Sequence, residues 1–145
     1  METTYKAAIT VEAIVKSPIE KVWKFWNEPK HITSWCNASE DWYAPYAEND
    51  LRTGGKFKTT MSAKDGSASF DFEGVYTNVQ EHKLIVYTMN GDDHRKVKIV
   101  FSKEGNETKV TETFDPENIN SIELQRGGWQ AILDNFKKYT EANQQ

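Results

Sequence analysis

The sequence predicts one α+β domain in which a curved antiparallel sheet wraps around a long C-terminal helix. A strand-like segment comes first and leads into two short helical segments. Five segments with apolar residues at alternate positions follow, and turn residues suited to antiparallel pairs join them. The last segment, from Asn120 onward, carries apolar residues at helical spacing. This order predicts about six strands whose shared apolar face is covered by the last helix.

Size and composition favour a single domain over 1–145 that needs no covalent support. A chain of 145 residues can bury about two-thirds of its unfolded surface on folding. Aromatic residues make up 12% of the chain, so bulky rings are expected to line the core and any cavity in it. Cys36 is the only cysteine, which excludes an internal disulfide and predicts a semi-buried thiol beside Trp35.

The charge balance and the absence of long apolar runs exclude several function classes. Eighteen Lys and Arg against 22 Asp and Glu give a net charge of −4, which argues against binding to nucleic acid or to an anionic membrane. The sequence contains no signal-peptide pattern and no apolar run of 18 residues. We therefore expect a cytoplasmic protein.

The first part of the chain predicts a strand followed by two helices. Residues 5–15 alternate, with Ile9, Val11, Ala13 and Val15 on the apolar face. A helix is predicted from Ser17-Pro18-Ile19-Glu20, with Ser17 as N-cap and Glu20 completing a capping box. Pro29 limits this helix, and a short second helix through Ile32 to Trp35 follows.

The middle of the chain predicts five strands, over 51–61, 68–79, 83–89, 95–103 and 107–114. Asp65-Gly66 is typical of a type I′ hairpin, residues 90–93 of a wider turn, and residues 104–107 of the last hairpin. Gly54-Gly55 indicates a bulge or a sharp entry to a strand. The predicted apolar face consists of Phe57, Thr59, Met61, Phe70, Phe72, Val97, Ile99, Phe101, Val110 and Phe114.

The last helix is predicted to start at Asn120 as N-cap, with Glu123 three residues later. Its stripe at helical spacing consists of Ile122, Arg126, Trp129, Leu133 and Phe136. Gly127-Gly128 interrupts this stripe, which indicates a late helix start, a local bend, or room for a ligand against the sheet.

Several short motifs occur in an order that matches one known family. They are Val11, Ala13 and Val15 before Ser-Pro-Ile-Glu-Lys-Val-Trp (17–23), Glu28-Pro29 before Trp35, Leu-Arg-Thr-Gly-Gly-Lys-Phe (51–57), Phe-Glu-Gly-Val-Tyr (72–76), Leu-Ile-Val-Tyr (84–87), Thr-Lys-Val-Thr-Glu-Thr-Phe (108–114), and Gly128-Trp129 before Ile132, Leu133 and Phe136. Over nearly the whole chain they resemble the small bacterial relatives of the activator of the heat-shock protein 90 ATPase. That AHSA-type family lies within the START-like, or SRPBCC, superfamily.

The resemblance implies a helix-grip fold, like that of the birch-pollen allergen, with a cavity between the sheet and the C-terminal helix. Members of this superfamily bind lipids, hormones and polyketides, and a few catalyse cyclisations. The eukaryotic activator resembles this chain only through its C-terminal domain. Its additional N-terminal chaperone-binding domain has no counterpart within these 145 residues.

Motifs for nucleotide, zinc, esterase and redox chemistry are missing from the sequence. His31, His82 and His94 are far apart among polar neighbours, which predicts solvated surface side chains without the paired spacing of a metal site. We therefore predict no cofactor and no metal.

Two charged residues fall on faces that are otherwise apolar. Glu112 shares strand parity with Val110 and Phe114, and Arg126 lies one turn before Trp129. We hypothesise that Glu112 and Arg126 meet in the cavity and orient a polar group of a ligand. The alternatives are an ion pair at the cavity mouth, or an Arg126 side chain that extends to water.

The segment 36–50 is long, aromatic and without clear periodicity. Its Trp42, Tyr43 and Tyr46, together with Trp35, predict either a lid over the cavity or aromatic staples that hold a loop on the domain. Tyr87 and Met89 belong either to the core or to the ligand site.

The leading functional prediction is a non-catalytic domain that binds a small hydrophobic molecule in the cavity. The predicted ligand-binding residues are Trp35, Trp42, Phe57, Phe72, Tyr87, Ile99, Glu112, Arg126, Trp129, Leu133 and Phe136. The second reading is a protein-interaction or chaperone-associated module that uses an exposed patch. The third is a cyclase-type or hydrolase-type enzyme in which Glu112 is the acid or base.

Overall fold

The computed structural model describes residues 8–37, 39–90, 95–117 and 119–143. The strands are β1 (Ile9–Val15), β2 (Trp42–Asn49), β3 (Lys56–Ala63), β4 (Ser69–Gln80), β5 (Leu84–Met89), β6 (Lys96–Glu104) and β7 (Glu107–Phe114). The helices are α1 (Ile19–Asn27), α2 (Pro29–Trp35) and α3 (Ile122–Ala142). The fold is the predicted helix-grip α+β fold, with seven strands in place of about six.

The seven strands form one antiparallel sheet in the order β1-β7-β6-β5-β4-β3-β2. The first strand of the chain therefore pairs with the last, with Ile9 opposite Phe114 and Val15 opposite Thr108. The apolar face predicted for β1 is confirmed, since Ile9, Val11 and Val15 are buried and Ala13 packs against the core. Leu133 and Phe136 of α3 are fully buried in the same core.

Strand β2 replaces the loop predicted over 36–50. It lies at one edge of the sheet and pairs with β3. A β-bulge at Ala44 and Pro45 shifts the register, because Tyr43 pairs with Ser62 while Tyr46 pairs with Thr60. Before the bulge the inward-facing residues are Trp42 and Ala44, and after it they are Ala47 and Asn49. The bulge is therefore the physical reason why the sequence shows no period of two here.

Both predicted helix starts are wrong by one residue. Pro18 is the N-cap of α1, no side chain caps that helix, and Ser17 is buried with its carbonyl accepting a hydrogen bond of 2.9 Å from Thr108 Oγ1. Ser121 is the N-cap of α3, where its Oγ accepts from the backbone N–H of Leu124 at 3.1 Å. At the start of α3 the adjacent Asn120 and Ser121 offer the same capping chemistry, so the pattern defines that helix start only to within a residue or two.

The hairpin at Asp65-Gly66 is longer than predicted. A type I′ turn requires positive φ at both central residues. Gly66 has φ of 80°, but the φ of Asp65 is not positive, because His82 is the sole non-glycine among the described residues with positive φ. Strand β3 ends at Ala63 and β4 begins at Ser69, and the Asp65 carboxylate accepts from the N–H of Ser67 at 2.8 Å. The predicted turn over 90–93 lies partly outside the described residues.

Gly54 and Gly55 make the predicted sharp entry to strand β3. Gly54 has φ of 88°, and a Cβ on Gly55 would lie 2.0 Å from the Asp50 carbonyl oxygen. The chain therefore turns more tightly here than a side chain would permit.

Helix α3 runs unbroken through Gly127 and Gly128, so the predicted late start is wrong. A Cβ added at either glycine would have open space around it. No helix among the described ranges is long and apolar enough to cross a membrane.

Candidate functional site

A cavity of about 120 Å³ lies between the inner face of the sheet and the three helices. The helices, with the C-cap residue Cys36 of α2, contribute Trp26, Asn27, Ile32, Trp35, Cys36, Trp129 and Ile132. Strands β2 and β3 contribute Glu48, Asn49, Phe57, Thr59 and Met61, and strands β4 to β7 contribute Phe72, Tyr76, Ile85, Tyr87, Ile99 and Glu112. The lining is mainly aromatic and aliphatic.

The structure places seven of the predicted ligand-binding residues on the cavity wall. These are Trp35, Phe57, Phe72, Tyr87, Ile99, Glu112 and Trp129. Several of them contact one another through their rings: Phe57 lies 4.7 Å from Tyr87 between centroids, and Trp129 lies 6.2 Å from Phe72. The Trp129 ring also stacks on Phe114 at 3.9 Å, which fixes its orientation at the helix–sheet boundary.

Three predicted apolar residues lie elsewhere. Leu133 and Phe136 are fully buried, and Phe136 packs edge-on against Trp26 and Trp35 beyond the cavity wall. Trp42 begins β2 and contacts Phe70, whose side chain is 51% exposed, instead of lining the cavity. Helical spacing predicts which residues face the sheet, but it does not separate those that fill the core from those that border a space.

The proposed pairing of Glu112 with Arg126 is wrong. Glu112 is 5% exposed and lines the cavity, whereas Arg126 is exposed on α3 and does not line it. Within the described ranges no ion pair joins the two residues. Arg126 lies on the solvent side because a long charged side chain at this helical turn can extend to water, as in one of the predicted alternatives.

Glu112 is the most unusual group in the cavity. Its neighbours across the sheet are Val11 on β1 and Ile99 on β6, both apolar and buried. No hydrogen bond or ion pair to its carboxyl occurs within the described part of the chain. Burial raises the pKa of Glu112 from 4.5 to about 8, because the ionised form loses its hydration without gaining a compensating charge. Near neutral pH the group is therefore mostly a neutral acid that can donate a hydrogen bond.

Two titratable neighbours of Glu112 also keep their protons. Burial raises the pKa of the Cys36 thiol to about 12, and the charge that Glu112 can carry acts in the same direction. Burial likewise raises the pKa of Tyr87 well above its usual value, with Glu112 adding to the effect and Arg95 opposing it. Cys36 therefore has none of the thiolate character of a nucleophile.

The rim of the cavity is polar and held by asparagines. Asn49 accepts a hydrogen bond from the Tyr76 hydroxyl and donates one of 2.8 Å to the Asn27 carbonyl. Asn27 donates in turn to the carbonyl of Trp23 at 2.8 Å. Glu48 and Asn49 also line a second, open depression with Asp50, Arg52, Gly54 and Lys56. Residues 48 and 49 therefore lie between the cavity and the protein surface.

Sequence patterns account for some of the remaining lining residues but not for all of them. Thr59 and Met61 belong to the predicted apolar face of β3, and Tyr76 has the parity of Phe72 on β4. Asn27 and Asn49 carry no such pattern, because one ends a helix and the other follows the bulge of β2.

His31 was predicted to lie on the solvated surface, and this prediction is wrong. It is 6% exposed, its ring stacks on Phe25 at 3.9 Å, and its Nδ1 forms a hydrogen bond of 2.6 Å with the Tyr139 hydroxyl. Burial lowers the pKa of His31, and Glu28 opposes this effect. His82 is half-buried with its ring 5.9 Å from Trp23, while His94 lies outside the described residues. No group of three potential metal ligands occurs in the described ranges.

Comparison with known proteins places this architecture in a family. The family profile described as "Activator of Hsp90 ATPase homolog 1-like protein" matches residues 16–141. No functionally curated sequence matches the chain.

Solved structures agree with this match. The AHSA1-like protein from Aeromonas hydrophila is 45% identical over 93% of this chain and 92% of its own, with a TM-score of 0.86. Chr148 from Cytophaga hutchinsonii is 59% identical over 94% and 93% of the two chains, with a TM-score of 0.80. CV1439 from Chromobacterium violaceum, at 20% identity over 95% and 100% with a TM-score of 0.85, shares the fold. This chain therefore belongs to the family of activator of Hsp90 ATPase homolog 1-like proteins.

Proposed function

We propose that this protein is a non-catalytic binding domain that holds a small, mostly apolar molecule in the cavity between the sheet and α3. The observation that carries the proposal is Glu112, a buried carboxyl that has no partner among the described residues and lies at the wall of a mainly apolar space. Such a group lowers stability, and a purely structural role offers no compensation for it. A ligand that forms a hydrogen bond with the carboxyl does offer such compensation.

The size of the cavity limits the ligand. A volume of about 120 Å³ is close to that of an engineered cavity of ~150 Å³ that binds benzene. Drug-sized ligands occupy pockets of roughly 300–1,000 Å³. The proposed ligand therefore has about the size of a single ring, and a larger one requires the rim at Asn49 to open.

The lining supports an apolar ligand. Trp35, Phe57, Phe72 and Trp129 offer ring surfaces, and Ile99 offers an aliphatic one. Contact with such side chains gains free energy by removing apolar surface from water, at roughly 25 cal/mol per Å². Tyr87 and Glu112 are polar groups of the wall that can fix the orientation of the ligand.

The proposal is tested by thermal melting and NMR titration with single-ring compounds. A ligand at 100 times its Kd stabilises the native state by about 2.7 kcal/mol, which for a domain of this size raises Tm by roughly 5–10 °C. We expect a saturable rise in Tm and chemical-shift changes at cavity residues. If none of the compounds gives a saturable response, the proposal is wrong.

A pair of neighbouring threonines provides matched variants. Thr59 lines the cavity, and Thr60 points to the opposite face of β3, where its hydroxyl donates to Asp71 at 2.7 Å. Thr59→Leu places extra volume in the cavity, so it should abolish binding while the protein stays folded. Thr60→Leu should leave binding unchanged. Equal binding by both variants would show that the ligand lies elsewhere.

A chaperone-associated role is a second candidate, favoured by exposed aromatic side chains on edge strand β2. Tyr43 and Tyr46 point away from the cavity and are 45% and 47% exposed. Aromatic rings of this kind are enriched in protein interfaces. The test is the ATPase rate of a 90-kDa heat-shock chaperone with the wild-type protein and with Tyr43→Ser/Tyr46→Ser. Stimulation that only the wild type produces would support this role, and an unchanged rate with both proteins would count against it.

A further inference from the structure

We propose that the cavity selects a small neutral molecule with a hydrogen-bond acceptor such as a carbonyl oxygen, and that the Glu112 carboxyl recognises this acceptor. The inference rests on the proposed binding function and names the chemical class of its ligand. It depends on three features of the cavity: the position of Glu112, the polarity of the neighbouring wall, and the absence of a nearby positive charge among the described lining residues.

The position of Glu112 makes it available to a ligand. Its carboxyl lies on the wall of the cavity, 5% exposed, without a hydrogen-bond partner in the described part of the chain. A buried acid loses free energy when its hydrogen-bonding capacity stays unused. A ligand atom that pairs with it recovers this energy.

The surroundings of Glu112 decide what the ligand atom is. Val11 and Ile99 flank it in the sheet, and Trp129 and Ile132 are the lining residues from α3. The titratable groups near it are the Cys36 thiol at the end of α2 and the Tyr87 hydroxyl on β5, while Glu48 on β2 lines the rim. None of these carries a positive charge, and Arg95, whose charge acts on Tyr87, is not among the lining residues. In such a site the carboxyl is favoured in its neutral form, whose O–H group is a donor.

A neutral donor in an apolar wall selects for an acceptor on an apolar molecule. A hydrocarbon of the same shape leaves the acid unpaired, so it binds more weakly. An ammonium ion requires Glu112 to ionise and both charges to lose their hydration, which an apolar cavity opposes. A ring of about six to eight non-hydrogen atoms with one carbonyl oxygen combines this chemistry with the size of the cavity.

The test uses three compounds of one shape: cyclohexanone, methylenecyclohexane and cyclohexylammonium. Binding is followed by NMR titration of the full chain at pH 6 and at pH 9. At pH 6 we expect cyclohexanone to bind about threefold to tenfold more tightly than methylenecyclohexane, which corresponds to one net hydrogen bond. Between pH 6 and pH 9 this preference should be lost, because the donor proton leaves Glu112.

Two variants separate recognition by Glu112 from other causes. Glu112→Gln keeps a donor that does not titrate, so it should prefer cyclohexanone at both pH values. Glu112→Leu removes the donor, so it should bind cyclohexanone and methylenecyclohexane equally. If Glu112→Leu does not fold, the pH-independent preference of Glu112→Gln still decides the question.

The outcomes distinguish this inference from the proposed function. Equal affinity of the wild type for cyclohexanone and methylenecyclohexane overturns the inference and leaves the binding function intact. Tightest binding of cyclohexylammonium also overturns it, since Glu112 then acts as a carboxylate. Failure of all three compounds to bind overturns the binding function and the inference together.

Discussion

Replacing Glu112 with Gln should change how the stability of the protein depends on pH. Burial raises the pKa of this carboxyl from its ordinary value of 4.5 to about 8 in the native state. The native state therefore holds the proton more tightly than the unfolded state. The stability that this group contributes is fully present below pH 4.5 and is lost as pH rises through 8. Gln has the same shape and does not titrate.

The magnitude follows from the two pKa values. Between them the free energy of unfolding falls by about 1.4 kcal/mol per pH unit. From pH 5 to pH 8 the wild type should therefore lose about 3 to 4 kcal/mol that Glu112→Gln retains. This is a large fraction of the 5–15 kcal/mol by which a typical domain is stable.

The assay is urea unfolding of both proteins at intervals from pH 5 to pH 8, with the difference between their unfolding free energies plotted against pH. His31 does not disturb this difference. Its lowered pKa makes stability fall as pH drops below 6.5, but both proteins share that effect. Any free-energy cost of burying the Gln amide in the variant is the same at every pH, so it adds only a constant to the difference. Parallel curves over the whole range would refute the assignment of a neutral buried acid at position 112.

Three further substitutions test the packing and the helix ends, each by urea unfolding. Gly74→Ala should destabilise the protein by about 1–3 kcal/mol and shift the NMR signals of Phe57, because a Cβ at Gly74 would lie 2.6 Å from the Thr88 carbonyl oxygen and 2.9 Å from the Phe57 ring; an unchanged spectrum would contradict the contact with Phe57. Gly127→Ala should stabilise by up to about 1 kcal/mol, since the new methyl group meets open space within a helix, and a loss of stability would mean that the space is in use. Ser121→Ala should destabilise by about 1 kcal/mol through loss of the bond to the Leu124 N–H, whereas no effect would place the cap elsewhere.

The sequence was sufficient for the fold because each strand with a regular period of two faces one core. β3 shows this clearly, with Phe57, Thr59, Met61 and Ala63 all buried at alternate positions. Strand β2 was missed because its bulge exchanges the inward and outward positions within eight residues. The alternation of apolar residues in such a segment looks irregular even though the backbone is extended on both sides of the bulge.

The candidate site was only partly predictable for a different reason. Strand parity correctly placed Glu112 on the inner face, since neighbouring inward positions are fixed by the geometry of a strand. Strand parity does not show which residue of α3 lies close to Glu112. The predicted partner Arg126 is instead exposed to solvent. His31 was misplaced because its partner Tyr139 is 108 positions away. Contacts across such distances depend on the tertiary structure.

The pairing of β1 with β7 has a consequence for synthesis of the chain. Thr10 and Thr113, 103 positions apart, share a hydrogen bond of 3.2 Å across this pair. At a translation rate of about 5–20 residues per second, β1 emerges roughly 5–20 s before its partner strand exists. During that interval its apolar face, with Ile9, Val11 and Val15, has no sheet to join. Synthesis therefore has to continue about a hundred residues beyond β1, through the end of β7, before the first strand can be protected from association with other chains.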